Sequence, residues 1–159
     1  MAQNGYDSKA DTLLHIKRVG YWINEFCREM MRRAGVHDDT KLESPEKELF
    51  DEYTPKLKNS TYGSEEYKGY LDELGVALKH HYAHNSHHPE HYKNGVDGMD
   101  LLDLVEMFLD WKSASERHAD GDIHQSIDHN TKRFNLSPQL ASILKNTADR
   151  FVYLTENNN

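Results

Sequence analysis

Apolar side chains recur along this chain at spacings of three and four residues, and no stretch alternates convincingly as a strand would. That periodicity asks for helices that bury one face, and so for an all-α fold. The first helix is expected from about Asp7 or Ser8 to Arg33, closed by Gly35. Its inward stripe reads Val19, Trp22, Phe26 and Met30, and four residues back the stripe lands on His15. Ser44-Pro45-Glu46 offers a serine cap with proline at the first helical position, so a second helix begins near Pro45 and runs through Leu49 and Phe50 towards Leu57. Lys58–Gly63 reads as a polar loop, and Ser64 opens a third helix to about Asn85 or Ser86, ended ahead of Pro89. A loop with two glycines, His87–Gly98, precedes a strongly apolar helix from Met99 to about Glu116. A shorter helix over Asp122–Phe134 follows, then a last one opened by Ser137-Pro138 and running to about Leu154, with a frayed tail over Asn157–Asn159.

With no internal repeat, linker or composition break, these six helices are expected to form one compact helical bundle, a single domain over residues 1–159. Its length is sufficient for a core that needs no disulfide staples. The lone Cys27 excludes a disulfide framework and any cysteine-based zinc finger, and reads as a buried small hydrophobe. No apolar run approaches the roughly 18 residues of a membrane span, and the start lacks a signal-peptide apolar region, so a cytoplasmic protein away from membranes is expected. Acidic residues outnumber Lys plus Arg by 27 to 19, a net charge of −8 that disfavours a nucleic-acid polymer as partner. Histidine is the outlier: six of the eleven fall between His80 and His91, and none belongs to a terminal tag.

Several polar residues stand where apolar ones are expected. His81 extends the stripe Leu71, Leu74, Leu78, and Asn85 follows on the same face; Asp110 lies among Val105, Met107, Phe108, Leu109 and Trp111. A buried carboxylate has to be paired, protonated or bound to metal. His37-Asp38, just past a helix end, offers an imidazole and a carboxylate side by side, a donor set suited to Zn, Mn, Fe, Co or Ni. For each residue singly the plain alternative is a hydrogen-bonded core histidine, or an aspartate paired with a cation. Trp22 and Trp111 read as core, and Asp128-His129 as surface.

The order His15 … His37-Asp38 … Asp110 resembles the signature of the HD-domain superfamily of metal-dependent phosphohydrolases. Glu106-Met107 … Asp110-Trp111, with His87-His88-Pro89-Glu90-His91, is similar to an uncharacterised group of small phage and bacterial HD-like proteins, over roughly residues 11–114. The resemblance implies an all-α metal-site core at about 11–114 with the helices of 122–155 packed on it. It also implies a divalent transition metal (Mn, Co, Ni, Fe or Zn, with Mg admissible) held by His15, His37, Asp38 and Asp110. His81 and His88 are the candidates for a second ion, although their spacing is closer than the superfamily's. Lys41, three residues after Asp38, inherits a place on substrate phosphate, joined by Arg18 and His87; Asp38 or Glu106 would take the proton of the attacking water, and a cluster histidine such as His84 would protonate the leaving oxygen. The expected activity is hydrolysis of a nucleotide or other small phosphate ester, in the cytoplasm (the host's, if phage-encoded), with a homo-oligomer open. Two alternatives remain: a di-iron oxygenase on the same fold, and a non-catalytic HD-like binding or inhibitory module.

Overall fold

The computed structural model describes residues 6–60, 64–117 and 121–157, apart from the side chains of 58 and 154–157. Among them every regular element is helical, in the order α1 (Lys9–Ala34), α2 (Glu46–Asn59), α3 (Glu65–Glu73), α4 (Gly75–His84), α5 (Leu101–Ser115), α6 (Ile123–Phe134) and α7 (Pro138–Asn157). Short 3-10 turns at Asp39–Leu42, Pro89–His91 and Gly95–Gly98 join them. The protein is thus all-α, as the periodicity requires. No described helix is long and apolar enough to cross a membrane. The loop expected at 58–63 partly overlaps α2, and its residues 61–63, like 158 and 159 of the expected frayed tail, lie outside the described residues. One expected helix is two: the helix opened by Ser64 turns at Leu74 and restarts at Gly75, with the Ser64 hydroxyl accepting from the Tyr67 N–H at 3.1 Å.

The chain divides into two compact units, with the break between His37 and Asp38. The first is essentially α1. It closes at Gly35, as read from the sequence, but none of its residues is buried. A lone helix has no partner within its own unit, so the stripe expected to face a core does not do so there. Val19 and Trp22 are exposed, Trp22 by 56%, and Cys27 is exposed as well. His15, on the same stripe, is also exposed.

The second unit has two buried regions that meet on α5. Met107, Phe108 and Trp111 of α5 pack with Ile123 and Ile127 of α6, Leu136, and Leu144 and Ala148 of α7 into an apolar cluster. The Trp111 and Phe134 rings stack nearly parallel, with centroids 6.2 Å apart. α6 packs on both α5 and α7. The other region is polar. It lies where α2, α4, the 39–42 turn and the loop after α4 come together, with Glu46, His81, Asn85, His87 and Asp103 all buried.

α5 carries both regions because its sequence is two-faced. Leu104, Met107, Phe108 and Trp111 form one helical stripe, and Asp103, Glu106 and Asp110 form a second at the same three- and four-residue spacing. Asp103 completes a capping box with Asp100 and is only 2% exposed. It also accepts from Ser86 Oγ at 2.7 Å and from the Tyr92 hydroxyl at 2.6 Å. One carboxylate therefore ties both ends of the 86–92 loop to the start of α5. Gly98 allows Tyr92 to lie there, because a Cβ at residue 98 would come within 2.7 Å of Tyr92 Cβ.

Candidate metal centre

Asp38 opens the second unit in the left-handed region at φ 59°, a conformation that aspartate tolerates better than most residues. Its Oδ2 accepts from Lys41 Nζ at 2.6 Å, across one turn of 3-10 helix. Its Oδ1 faces two imidazoles, with His81 Nε2 at 3.2 Å and His87 Nε2 at 3.4 Å. His88 Nε2 stands 2.9 Å from His81 Nε2. One donor atom from each of Asp38, His81, His87 and His88 falls within 4.8 Å of the others.

The far sides of two of these imidazoles are held by carboxylates. His81 Nδ1 lies 2.9 Å from Glu46 Oε2, and His87 Nδ1 lies 3.3 Å from Glu106 Oε1. A carboxylate only accepts, so the Nδ1 atoms that face Glu46 and Glu106 carry protons, and each of the two rings turns its Nε2 toward Asp38. This is how proteins orient metal-binding histidines, with a carboxylate fixing the tautomer and raising the basicity of the other nitrogen. Glu46 is held in turn. It accepts from Thr40 Oγ1 at 3.0 Å and from His80 Nδ1 at 2.7 Å, and Asn85 Nδ2 donates to Thr40 Oγ1 at 2.9 Å.

The electrostatics agree with this arrangement. Burial would raise the Asp38 pKa, but hydrogen bonds from His81, His87 and Lys41 hold it well below the usual carboxylate range. Glu46 behaves alike: burial raises its pKa, and His80, Thr40 and His81 bring it below the ordinary value. For His87 burial favours the neutral ring, yet Asp38 and Glu106 on either side push it up to about 9. His88 moves the other way, to about 3, because burial is reinforced by the charge of His87 and His81.

The donor set fits a divalent transition ion. Ligands about 2.1 Å from one ion stand about 3.0 Å apart in octahedral geometry and about 3.4 Å in tetrahedral geometry. The observed edges of 2.9, 3.2 and 3.4 Å lie close to that range. Three imidazoles and a carboxylate suit Mn, Fe, Co, Ni or Zn better than Mg or Ca, which prefer oxygen.

The structure sorts the residues expected from the sequence. It brings together Asp38, His81 and His88, places Lys41 on Asp38, and puts an Asp110 oxygen within 4.8 Å of an Asp38 oxygen. Asp110 is partly rather than fully buried. Glu106, expected as a proton acceptor, has its Oε1 3.3 Å from His87 Nδ1. His87, expected to meet substrate, is only 2% exposed and sits among the donors. The short turn before Pro89 folds it inward. His84 does not join the cluster: it shares the outer face of α4 with His80, stacked at 4.1 Å, and its Nδ1 donates to the His80 carbonyl at 2.8 Å. His15, Arg18 and His37 belong to the first unit. There Arg18 is exposed and lies 5.0 Å from the centroid of the Trp22 ring, in a cation–π contact. Asp128 and His129 are at the surface, as expected.

Two buried carboxylates were not singled out from the sequence, and both had signals. Extending the Leu49–Phe50 face back by three or four residues reaches Glu46, which is 0% exposed. The Asp103–Glu106–Asp110 stripe is a second helical face within a segment that otherwise reads as apolar throughout.

Fold and site together define an all-α protein whose second unit buries a histidine–carboxylate cluster. The chain belongs to a family of unknown function, DUF5662, whose model matches residues 4–150. No curated protein and no solved structure matches it.

Proposed function

We propose that the protein is a metal-dependent phosphohydrolase acting on a nucleotide or another small phosphate ester, with its divalent cation held by Asp38, His81, His87 and His88. The observation that carries the reading is the convergence of two carboxylate-backed imidazoles on a single Asp38 oxygen. The resemblance in sequence to HD-domain phosphohydrolases supplies the reaction class, and His15 and His37 enter only through that resemblance. A divalent transition ion in such a donor set supplies Lewis acidity and a water of lowered pKa.

The chain's own residues do the rest. Lys41 Nζ, on the rim at Asp38 Oδ2, offsets phosphate charge, which an acidic protein repels at long range. Glu46 and Glu106 keep the Nδ1 protons of His81 and His87 in place, so the Nε2 atoms stay aimed at Asp38. Asp110, which has an oxygen within 4.8 Å of an Asp38 oxygen, takes the proton of the attacking water in this reading. The lone cysteine is in keeping with a reducing cytoplasm.

The test is a panel of nucleotides, cyclic nucleotides and simple phosphate esters, assayed with Mn, Co, Ni, Zn and Mg. Metal-dependent hydrolysis of at least one ester, lost in Asp38→Asn, is the expected result. Silence across the panel in metal-replete protein would overturn it. One observation favours a second reading in that case, a metal-holding binding module: the His81 and His87 side chains are almost wholly shielded from solvent. Two irons per chain with a visible absorption band would instead mark a di-iron oxygenase.

A further inference from the structure

The four donors of the centre are not held alike. His81 lies within α4, and Asp38 leads into the 39–42 turn, where its carbonyl accepts from the Lys41 N–H at 2.9 Å. His87 and His88 lie on the connection between α4 and the 89–91 turn, outside any regular helix. A ligand there is only as well placed as the loop that carries it. Glu106 meets the His87 ring, but among the described residues no carboxylate is bonded to the His88 ring, which rests against those of His81, Tyr82 and His87. The His88 N–H reaches the Asn85 carbonyl only at 3.3 Å.

Asp103 supplies the anchorage that the loop lacks. Ser86, the residue before His87, and Tyr92, four residues after His88, donate their hydroxyls to its two oxygens at 2.7 and 2.6 Å. Bonds of that length to a buried carboxylate belong to the strong, charge-assisted class. Asp103 is itself fixed at the start of α5: its Oδ2 accepts from the Asp100 N–H at 3.0 Å, and its own N–H donates to Asp100 Oδ1 at 2.9 Å. Glu106 follows one turn later on the same helix face. Asp100 and Asp103 complete the capping box between them, so the two hydroxyls are not needed to start the helix. They fasten the loop.

We propose that Asp103 is a positioning residue of the metal centre: through Ser86 and Tyr92 it keeps His87 and His88 beside Asp38 before an ion arrives, and so sets the affinity of the site. The proposal rests on the metal centre in the reading above, and it assigns the loop half of that centre to one carboxylate which touches no ion. An untied loop spends part of its time with His87 and His88 away from Asp38, and apparent affinity falls with the fraction that remains competent.

Cobalt titration of the metal-free protein tests it in wild type, Ser86→Ala and Asp103→Ala, with affinity read on the folded fraction. Ser86→Ala removes the tie nearest His87 and leaves the capping box intact, so α5 keeps its start if Asp103→Ala fails to fold. Ser86→Ala should weaken cobalt binding roughly 2–10-fold, the worth of one hydrogen bond, and Asp103→Ala should weaken it further. A double-mutant cycle assigns the loss to the loop, which a general loss of stability would not do. The Ser86→Ala effect should shrink beside His88→Ala, which has already removed a loop ligand, and should add in full beside Glu46→Gln, which acts on His81. Amide hydrogen exchange over residues 86–92 should be faster in metal-free Ser86→Ala than in metal-free wild type, and the two should converge when cobalt is bound. Wild-type affinity in Ser86→Ala, or an effect of equal size beside His88→Ala and Glu46→Gln, would overturn the role of Asp103 and leave the metal centre standing. No cobalt uptake by the wild type would defeat both.

Discussion

The two buried regions of the second unit share α5 and work on opposite principles. On one face Met107, Phe108 and Trp111 join α6 and α7 in a cluster held by removal of apolar surface from water. On the other, Glu106 faces inward with Glu46, Asp38 and three imidazoles, where every group moved out of water needs a partner. The apolar face is non-directional, so it tolerates small shifts and repays area. The polar face is directional, and replacing its buried ionic groups by well-packed hydrophobes is often neutral or stabilising. A chain that keeps such a cluster gains little stability from it, which points to the cluster's use as a site.

Mutations that act on one region and spare the other test this contrast. Ile127→Ala, at a side chain with no exposed surface, should cost about 2–5 kcal/mol in denaturant unfolding. The metal affinity of the folded fraction should stay at the wild-type value. Adding a divalent ion at about 100 times its dissociation constant should raise the unfolding free energy by about 2.7 kcal/mol. That increment should persist in Ile127→Ala and vanish in Asp38→Asn; an equal increment in Asp38→Asn would remove Asp38 from the site. Glu46→Gln should lower metal affinity by roughly 10–100-fold, because Gln holds the His81 tautomer less firmly than a carboxylate does.

Smaller effects mark places where local chemistry alone acts. Ser64→Ala removes the acceptor for the Tyr67 N–H and should cost about 1 kcal/mol, with no change in metal binding. Burial and the Asp103 carboxylate push the Tyr92 hydroxyl up to about 12. A raised acid pKa stabilises the fold while the phenol is neutral in both states. This contribution is complete below pH about 10, where the unfolded phenol titrates, and is lost as pH rises towards 12. Tyr92→Phe should therefore flatten the alkaline fall in thermal stability over that interval. An unchanged slope would show that other groups set it.

Helical stripes were legible wherever a helix packs within its own unit. The Leu74–Leu78 spacing carries inward to His81 and Asn85, and the structure buries both. The same rule applied to Val19 and Trp22 places His15 against a core, and it fails because α1 has no packing partner within its unit. Periodicity says which residues share a face, not whether another element covers it. The break at Leu74 passes unnoticed for a related reason, since the stripe continues in register across it. Glu46 and the Asp103–Glu106–Asp110 face were readable by the same spacing, but apolar neighbours in the sequence mask a polar stripe. His87 was not readable, because its burial follows from the short turn before Pro89 and from Asp103 fastening Ser86 and Tyr92.

The central claim is that Asp38, His81, His87 and His88 hold one divalent ion through nitrogen and oxygen donors. Titrating the metal-free protein with cobalt and recording its visible spectrum tests this most directly, since both stoichiometry and donor set appear in one experiment. Saturation at one tight equivalent is expected, with d–d bands of a mixed imidazole and carboxylate site that are lost in His81→Ala and in His87→Ala. Tight uptake with an unchanged spectrum in both variants, or no tight uptake by the wild type, would contradict it.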